Sequence, residues 1–156
     1  MQSENEEQSK KDYNNILIES FDDLNLKDKL LRGIYATGFE SPSKIQQKAI
    51  LPVIEQNDII AQAQSGTGKT ATFSIGMLEC IDENIQETQG LILAHTRELA
   101  LQISSVVKSL SQYMNISINL SVGGVSVRNN IDELVKNPQI VIGTPGRVLD
   151  MINKKA

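Results

Sequence analysis

At 156 residues with 40% hydrophobic content, the chain has one domain's worth of sequence and can bury a core, which must be aliphatic because aromatics reach only 4% and tryptophan is absent. A formal net charge of −4 argues against nucleic-acid binding through a broad basic surface, while leaving local contacts to a phosphodiester backbone open. The single cysteine, Cys80, excludes an intrachain disulfide, no apolar run approaches the ~18 residues of a membrane span, and no signal-peptide pattern opens the chain, so a soluble intracellular protein is expected.

Residues 1–15 are polar and poor in apolar side chains, and are expected to form a disordered tail. Leu26, Leu30, Leu31 and Ile34 then supply one apolar face of a helix expected over Leu26–Thr37, with Asn25 and Asp28 marking its start and Gly38 its stop. Ser41-Pro42 reads as the cap and first turn of a second helix, carrying Ile45, Ala49 and Val53 at spacing four, which Pro52 kinks or ends. Asp58–Ala61 is a short apolar run expected to be a buried strand. After it, Phe73, Met77 and Ile81 recur every four residues as the inner face of a helix, on which Cys80 reads as a small apolar residue rather than a catalytic thiol.

Gly90–Ala94 is too short for a helix and suits a strand buried on both faces. A helix through Leu99, Ile103, Val107 and Leu110 follows, then Ile116–Val122, whose strict alternation predicts a strand ending in Gly123-Gly124. Ile131, Leu134 and Val135 mark a short helix, Gln139–Gly143 a fourth strand, and Thr144-Pro145-Gly146-Arg147 a turn into a last helix. Strands alternating with helices predict an α/β fold with a parallel sheet.

Between the first expected strand and its helix stands Ala63-Gln64-Ser65-Gly66-Thr67-Gly68-Lys69-Thr70, which reads as a phosphate-binding loop. Glycines at 66 and 68 allow a tight turn that brings successive backbone N–H groups close to anionic oxygens. Lys69 can reach the β- and γ-phosphates, and the Thr70 hydroxyl stands at a helix start, where it can coordinate Mg²⁺. A nucleoside triphosphate is the implied ligand. The first position of the pattern is Ala63 rather than glycine, and the competing reading is a Gly/Ser/Thr loop that only links strand to helix.

From Phe21 to the last residue, the ordered motifs resemble those of the DEAD-box RNA helicases, and within them the translation initiation factor 4A group. Gly38-Phe39-Glu40-Ser41-Pro42-Ser43-Lys44-Ile45-Gln46 looks like the family's Q motif, with Phe21 as its isolated upstream aromatic. The resemblance implies that Gln46 reads the adenine edge of ATP, that Phe39 stacks on the ring, and that Phe21 supports the site; an amide has the donor and acceptor that adenine requires. On its residues alone, Gln46 is an ordinary polar helix position. Thr96-Arg97-Glu98-Leu99-Ala100, Gly123-Gly124 and Thr144-Pro145-Gly146-Arg147 each follow a strand, and taken singly each reads as a common strand-to-helix turn. By resemblance, Thr96, Arg97, Gly123, Gly124, Thr144, Pro145, Gly146 and Arg147 hold the backbone of single-stranded RNA without reading bases. His95 stands where the family usually has proline, which leaves that turn less preset.

The resemblance implies a RecA-like P-loop sheet flanked by helices, divided here into a tail (1–15), a Q-motif region (16–48) and a partial ATP-binding domain (49–156). The chain is expected to stop before the strands bearing the Asp-Glu-Ala-Asp and Ser-Ala-Thr motifs, which in such helicases lie between the phosphate-loop strand and the strand before Thr96, so the sheet is expected to show a gap or a rearranged pairing. Asp132-Glu133 does not substitute for the acidic motif, since beside Lys136 it reads as a solvated helix face. The function expected is the front part of an ATP-dependent RNA helicase, using ATP and Mg²⁺, inactive in hydrolysis by itself; the alternative is a non-catalytic nucleotide- and RNA-binding or interaction fragment. An unrelated kinase with a similar loop has no place for the Q motif or for Thr144–Arg147. Implied partners are RNA and translation initiation scaffold proteins, with no membrane or DNA; a cytoplasmic location is expected, or a nuclear one for an exon-junction or ribosome-assembly relative.

Overall fold

The computed structural model describes Tyr13 and residues 17–155; apart from Tyr13, the tail expected over 1–15 lies outside the described residues. In chain order the elements are α1 (Asp28–Ala36), α2 (Lys44–Ile54), α3 (Lys69–Cys80), β1 (Gly90–Leu93), α4 (Arg97–Leu110), β2 (Ile118–Ser121), α5 (Val127–Leu134), β3 (Ile140–Gly143) and α6 (Pro145–Asn153). The strands form one parallel sheet in the order β1-β3-β2, as strands joined by helical crossovers must. Their ends are level, for Leu93, Gly143 and Ser121 are register partners.

Period-two alternation gives the sheet two faces. On one, Ile92, Ile140 and Ile142 join the core with Ala100, Ile103, Val107 and Leu110 of α4. Helices α1 and α3 extend this core with Leu30, Ile34, Ile75 and Leu78. Gly33 permits close contact between α1 and the end of α4, since a β-carbon there would lie 1.9 Å from the Leu110 carbonyl oxygen. The Arg32 guanidinium adds a cation–π contact with Tyr113 at 4.1 Å. On the other face, Val141 and Gly143 meet α6 through Val148, while α5 covers β2. Among the described residues, no helix is long and apolar enough to cross a membrane.

The sheet has three strands rather than four, because Asp58–Ala61 does not join it. Ile59 is 40% exposed and Ile60 fully exposed. A strand with no neighbour leaves its N–H and C=O groups to water, so nothing holds this apolar run extended. The free edge of β1 faces a cleft of about 600 Å³ lined by Ile59, Ala61, Phe73, Met77, Leu91 and Leu93. For the same reason β1 is not buried on both faces, with Leu91 and Leu93 each about half exposed. The inner face of α3 is Ala71, Ile75 and Leu78, while Phe73 and Met77 turn toward the cleft. Cys80 is exposed at the end of that helix and is not a core residue.

Four local expectations also change. Asn25 closes a 3₁₀ turn over Phe21–Leu24 in the left-handed conformation, φ 49°, instead of capping α1. The start of α1 is held by distant partners: the Lys27 N–H donates to Glu79 Oε2 at 2.9 Å, and Lys27 Nζ donates to the carbonyls of Glu79 and, at 2.7 Å, Ile81. Helix α2 starts after Ser43, two residues beyond Ser41, so Pro42 lies outside it; Pro52 falls two residues before its end. In β2 the polar members of the alternation are the buried ones, and in α5 the buried residue is Asn130, with Ile131 and Leu134 half-buried and Val135 exposed. Asp132 and Glu133 lie on the solvent face as expected, Glu133 pairing with Lys136 at 2.6 Å.

Glu83 ties three segments together, since its Oε2 accepts from Lys29 Nζ and from the Asn115 N–H, both at 2.7 Å. The ammonium and then the amide hold its carboxyl below the usual glutamate range. A folded-state value lower than the unfolded ~4.3 means that this contribution is present above that pH and is lost as pH falls through the folded value. The urea midpoint of Glu83→Gln should therefore lie below that of the parent at pH 6 and approach it at pH 3; an equal gap at both pH values would show that Glu83 does not act through its charge. The packing separates two isoleucines as well: Ile142→Ala should cost roughly 2–5 kcal/mol in urea unfolding, and Ile60→Ala no more than about 0.5. Equal losses would place 58–61 in the core after all.

Candidate nucleotide and nucleic-acid site

The phosphate loop runs into the start of α3. Gly68 is its N-cap with φ 94°, a conformation that a side chain would strain. Lys69 Nζ donates to the carbonyls of Ala63 and, at 2.6 Å, Gln64, while Thr67 Oγ1 donates to the Gln64 carbonyl at 2.8 Å. The loop is thus closed on its own lysine. Phosphate oxygens are stronger acceptors than these carbonyls and, placed at the α3 N-terminus, would also meet its free N–H groups.

The segment around Gln46 is joined to this loop. Ser43 Oγ donates to the Thr67 carbonyl at 2.8 Å, and Gln46 Oε1 accepts from the Ser43 N–H at 2.7 Å. Gln46 is 1% exposed, unlike an ordinary polar helix residue, and a β-carbon on Gly68 would lie 2.8 Å from its Nε2. Absence of a side chain at 68 therefore makes room for the amide as well as for the turn. Phe39 is half-buried and meets the fully buried Phe21 edge-on, ring centroids 6.3 Å apart. Phe21 meets Tyr35 the same way at 6.3 Å. Phe39, Ser65, Gly66, Gly68, Lys69 and Thr70 line one cleft of about 470 Å³. A cation, backbone donors, a hydroxyl and an aromatic edge in that cleft fit a nucleoside triphosphate. The Thr70 hydroxyl fits Mg²⁺, an ion that keeps several waters and takes its other ligands from phosphates.

The three remaining motifs meet at the C-terminal edge of the sheet. The Ala94 N–H donates to the Gly143 carbonyl at 2.9 Å and the Thr144 N–H to the Ser121 carbonyl at 3.0 Å, so level pairing continues one residue past the strands. Thr96 caps α4, its Oγ1 accepting from the Leu99 N–H at 3.2 Å. Thr144 precedes α6 without a side-chain cap bond, with Pro145 at its first position and Gly146 exposed after it. Gly124 has φ 79°, and a β-carbon there would lie 2.2 Å from Arg97 Nη1, so the guanidinium rests on the Gly123-Gly124 turn. Arg147 Nη2 donates to the Val125 carbonyl, one residue further, at 3.0 Å. Two guanidinium groups, a threonine hydroxyl and two helix N-termini at one edge are donors suited to anionic oxygens, and none of them is specific to a base. His95 is exposed beside it.

Two features have no role in the sequence motifs: Ser43, which joins Gln46 to the phosphate loop, and the buried trio Asn119, Ser121 and Asn130 beside Arg147. Serine one residue after Pro42 and three before Gln46 was a capping-box signal for Ser43. Period two tells which side chains share a face of β2 but not which face is covered, so the trio had no signal of its own.

Residues 43–156 match the model of the DEAD/DEAH box helicase family. The ATP-dependent RNA helicase eIF4A of Pyricularia oryzae is 59% identical over 138 residues, 88% of this chain and 35% of that protein. Its namesake from Meyerozyma guilliermondii is 56% identical over 143 residues, 92% of this chain and 36% of that protein. The chain therefore spans about a third of the length of these curated relatives. Among solved structures, a DEAD box protein from Methanococcus jannaschii superposes with a TM-score of 0.84 at 41% identity, covering 90% of this chain and 38% of that one. S. cerevisiae Dbp5, bound to RNA and ADP BeF3, does so with a TM-score of 0.78 at 42% identity, covering 88% and 34%. The helix-flanked parallel sheet is the RecA-like fold of these helicases. With the phosphate loop, the Gln46 segment and the three edge motifs all in place, the chain belongs to the DEAD/DEAH box helicase family.

Proposed function

We propose that this chain is the nucleotide- and RNA-binding front part of an ATP-dependent RNA helicase similar to translation initiation factor 4A. The observation that carries this reading is the meeting of Thr96-Arg97, Gly123-Gly124 and Thr144–Arg147 at one sheet edge, with Arg97 against Gly124 and Arg147 bonded to the Val125 carbonyl of the same turn. Single-stranded RNA would lie along that edge, held by its phosphates, as the RNA bound by Dbp5 supports. ATP would occupy the cleft of Phe39, Lys69 and Thr70, with Gln46 reading adenine, Phe39 on the ring and Phe21 bracing it. The Thr70 hydroxyl would hold Mg²⁺ beside the phosphates, and bound ATP would supply the energy for strand separation. Hydrolysis and unwinding belong to a longer polypeptide, whose acidic and Ser-Ala-Thr strands would fill the apolar cleft beside β1. Binding without turnover is the second reading for these residues by themselves, favoured by a nucleotide cleft whose lining contains no carboxylate. A cytoplasmic location and contact with initiation scaffold proteins follow from the same reading.

Two variants test the nucleotide half in a full-length helicase carrying this sequence. Lys69→Ala removes a charge-assisted contact contributing roughly 1.5–3 kcal/mol, and RNA-stimulated phosphate release should fall to a small fraction of the parent's; near-normal turnover would show that the loop has been misread. Gln46→Ala should erode the preference for ATP over GTP in nucleotide titrations, because the phosphate loop is blind to the base. An unchanged preference would remove Gln46 from the adenine site.

A further inference from the structure

Strand β2 carries polar side chains inward. Asn119 and Ser121 are 6% and 1% exposed, and α5 covers them with Asn130, itself 3% exposed. Ser121 Oγ donates to Asn119 Oδ1 at 2.8 Å, and Asn130 Nδ2 donates to Asn119 Oδ1 at 3.3 Å and to Ser121 Oγ at 3.1 Å. The amide oxygen of Asn130 is turned the other way and accepts from Arg147 Nη1 at 3.4 Å, while Arg147 Nη2 reaches the Val125 carbonyl at 3.0 Å.

Well-packed apolar residues would serve stability at these three positions equally well, since a buried polar group is favourable only when its hydrogen bonds are made. What the trio adds is direction. A guanidinium is planar with five donors at fixed angles, so acceptors on both terminal nitrogens set its plane and leave three N–H groups for a ligand. Asn130 is the one member that touches both the buried pair and the arginine.

We propose that Asn130 is a positioning residue for RNA binding, which through its buried amide holds Arg147 ready for a phosphodiester oxygen at the sheet edge. This rests on the reading of that edge as an RNA-backbone site. Without Asn130, Arg147 keeps its charge and its Val125 contact but has to be ordered when RNA binds, which weakens affinity by about two- to tenfold. The number of phosphates neutralised is unchanged.

The test is binding of 5′-fluorescein-labelled oligouridylate to the chain by anisotropy across a salt series. Arg147→Ala should weaken binding and reduce the slope of log K against log salt by about 0.7, the value for one phosphate contact on a single strand. Asn130→Ala should weaken it about two- to tenfold with the slope unchanged, and should add nothing in combination with Arg147→Ala. Asn130→Ser provides the same comparison should the alanine variant fail to fold, because its shorter side chain keeps a hydroxyl in the polar pocket while withdrawing the amide oxygen from the guanidinium. Parent-like affinity in a folded Asn130 variant, a loss that adds to that of Arg147→Ala, or a slope that falls with it would each overturn the positioning role. Unchanged affinity in Arg147→Ala would instead overturn the RNA reading of the edge, and this inference with it.

Discussion

Level parallel pairing of three short strands is the constraint on which the rest of this structure depends. Leu93, Gly143 and Ser121 are partners across the sheet, and the hydrogen bonds of Ala94 and Thr144 carry the pairing one residue further. A parallel strand presents the same end to the same edge as its neighbours, so all three following turns must emerge side by side. Arg97 can rest on Gly124 and Arg147 can reach Val125 only because of that alignment. A slip of one residue would exchange the two faces of a strand, placing Ile142 among the polar trio and Val141 in the core against α4.

The nucleotide cleft depends on a different joint, between α2 and the loop before α3. Ser43 is bonded both to the loop, through the Thr67 carbonyl, and to Gln46, through its own N–H. Displacement of the loop would therefore be felt at the buried Gln46 amide. In the structure Lys69 is folded onto the Ala63 and Gln64 carbonyls, so a half-buried cation has acceptors before a nucleotide supplies them.

Along the free edge of β1, apolar residues that elsewhere would be core are in contact with solvent. Leu91 and Leu93 are half exposed and Ile59 is 40% exposed, and with Phe73 and Met77 they line one cleft. Exposed apolar surface beside an unpaired strand edge is a site for further pairing or for self-association. Stability consequently resides on the opposite side of β1, where α1, α3 and α4 share a buried core with the sheet.

The α/β class, the order of helices, the phosphate loop and the motifs at the strand ends were legible in the sequence, because periodicity, glycine-bearing turns and ordered motifs are local properties of a chain. The stop of α1 at Gly38, the strands around Ile92, Ile118 and Ile142, and the solvent face of Asp132-Glu133 were all legible in this way. Only the tertiary structure decided that Ile59 and Ile60 stay outside the sheet, since an apolar run becomes a strand only where another strand stands beside it. It likewise decided that Asn119 and Ser121 face inward and that Gln46 is buried against Gly68. Alternation and spacing specify which side chains lie together, whereas the element that covers them is chosen by packing between segments far apart in the chain.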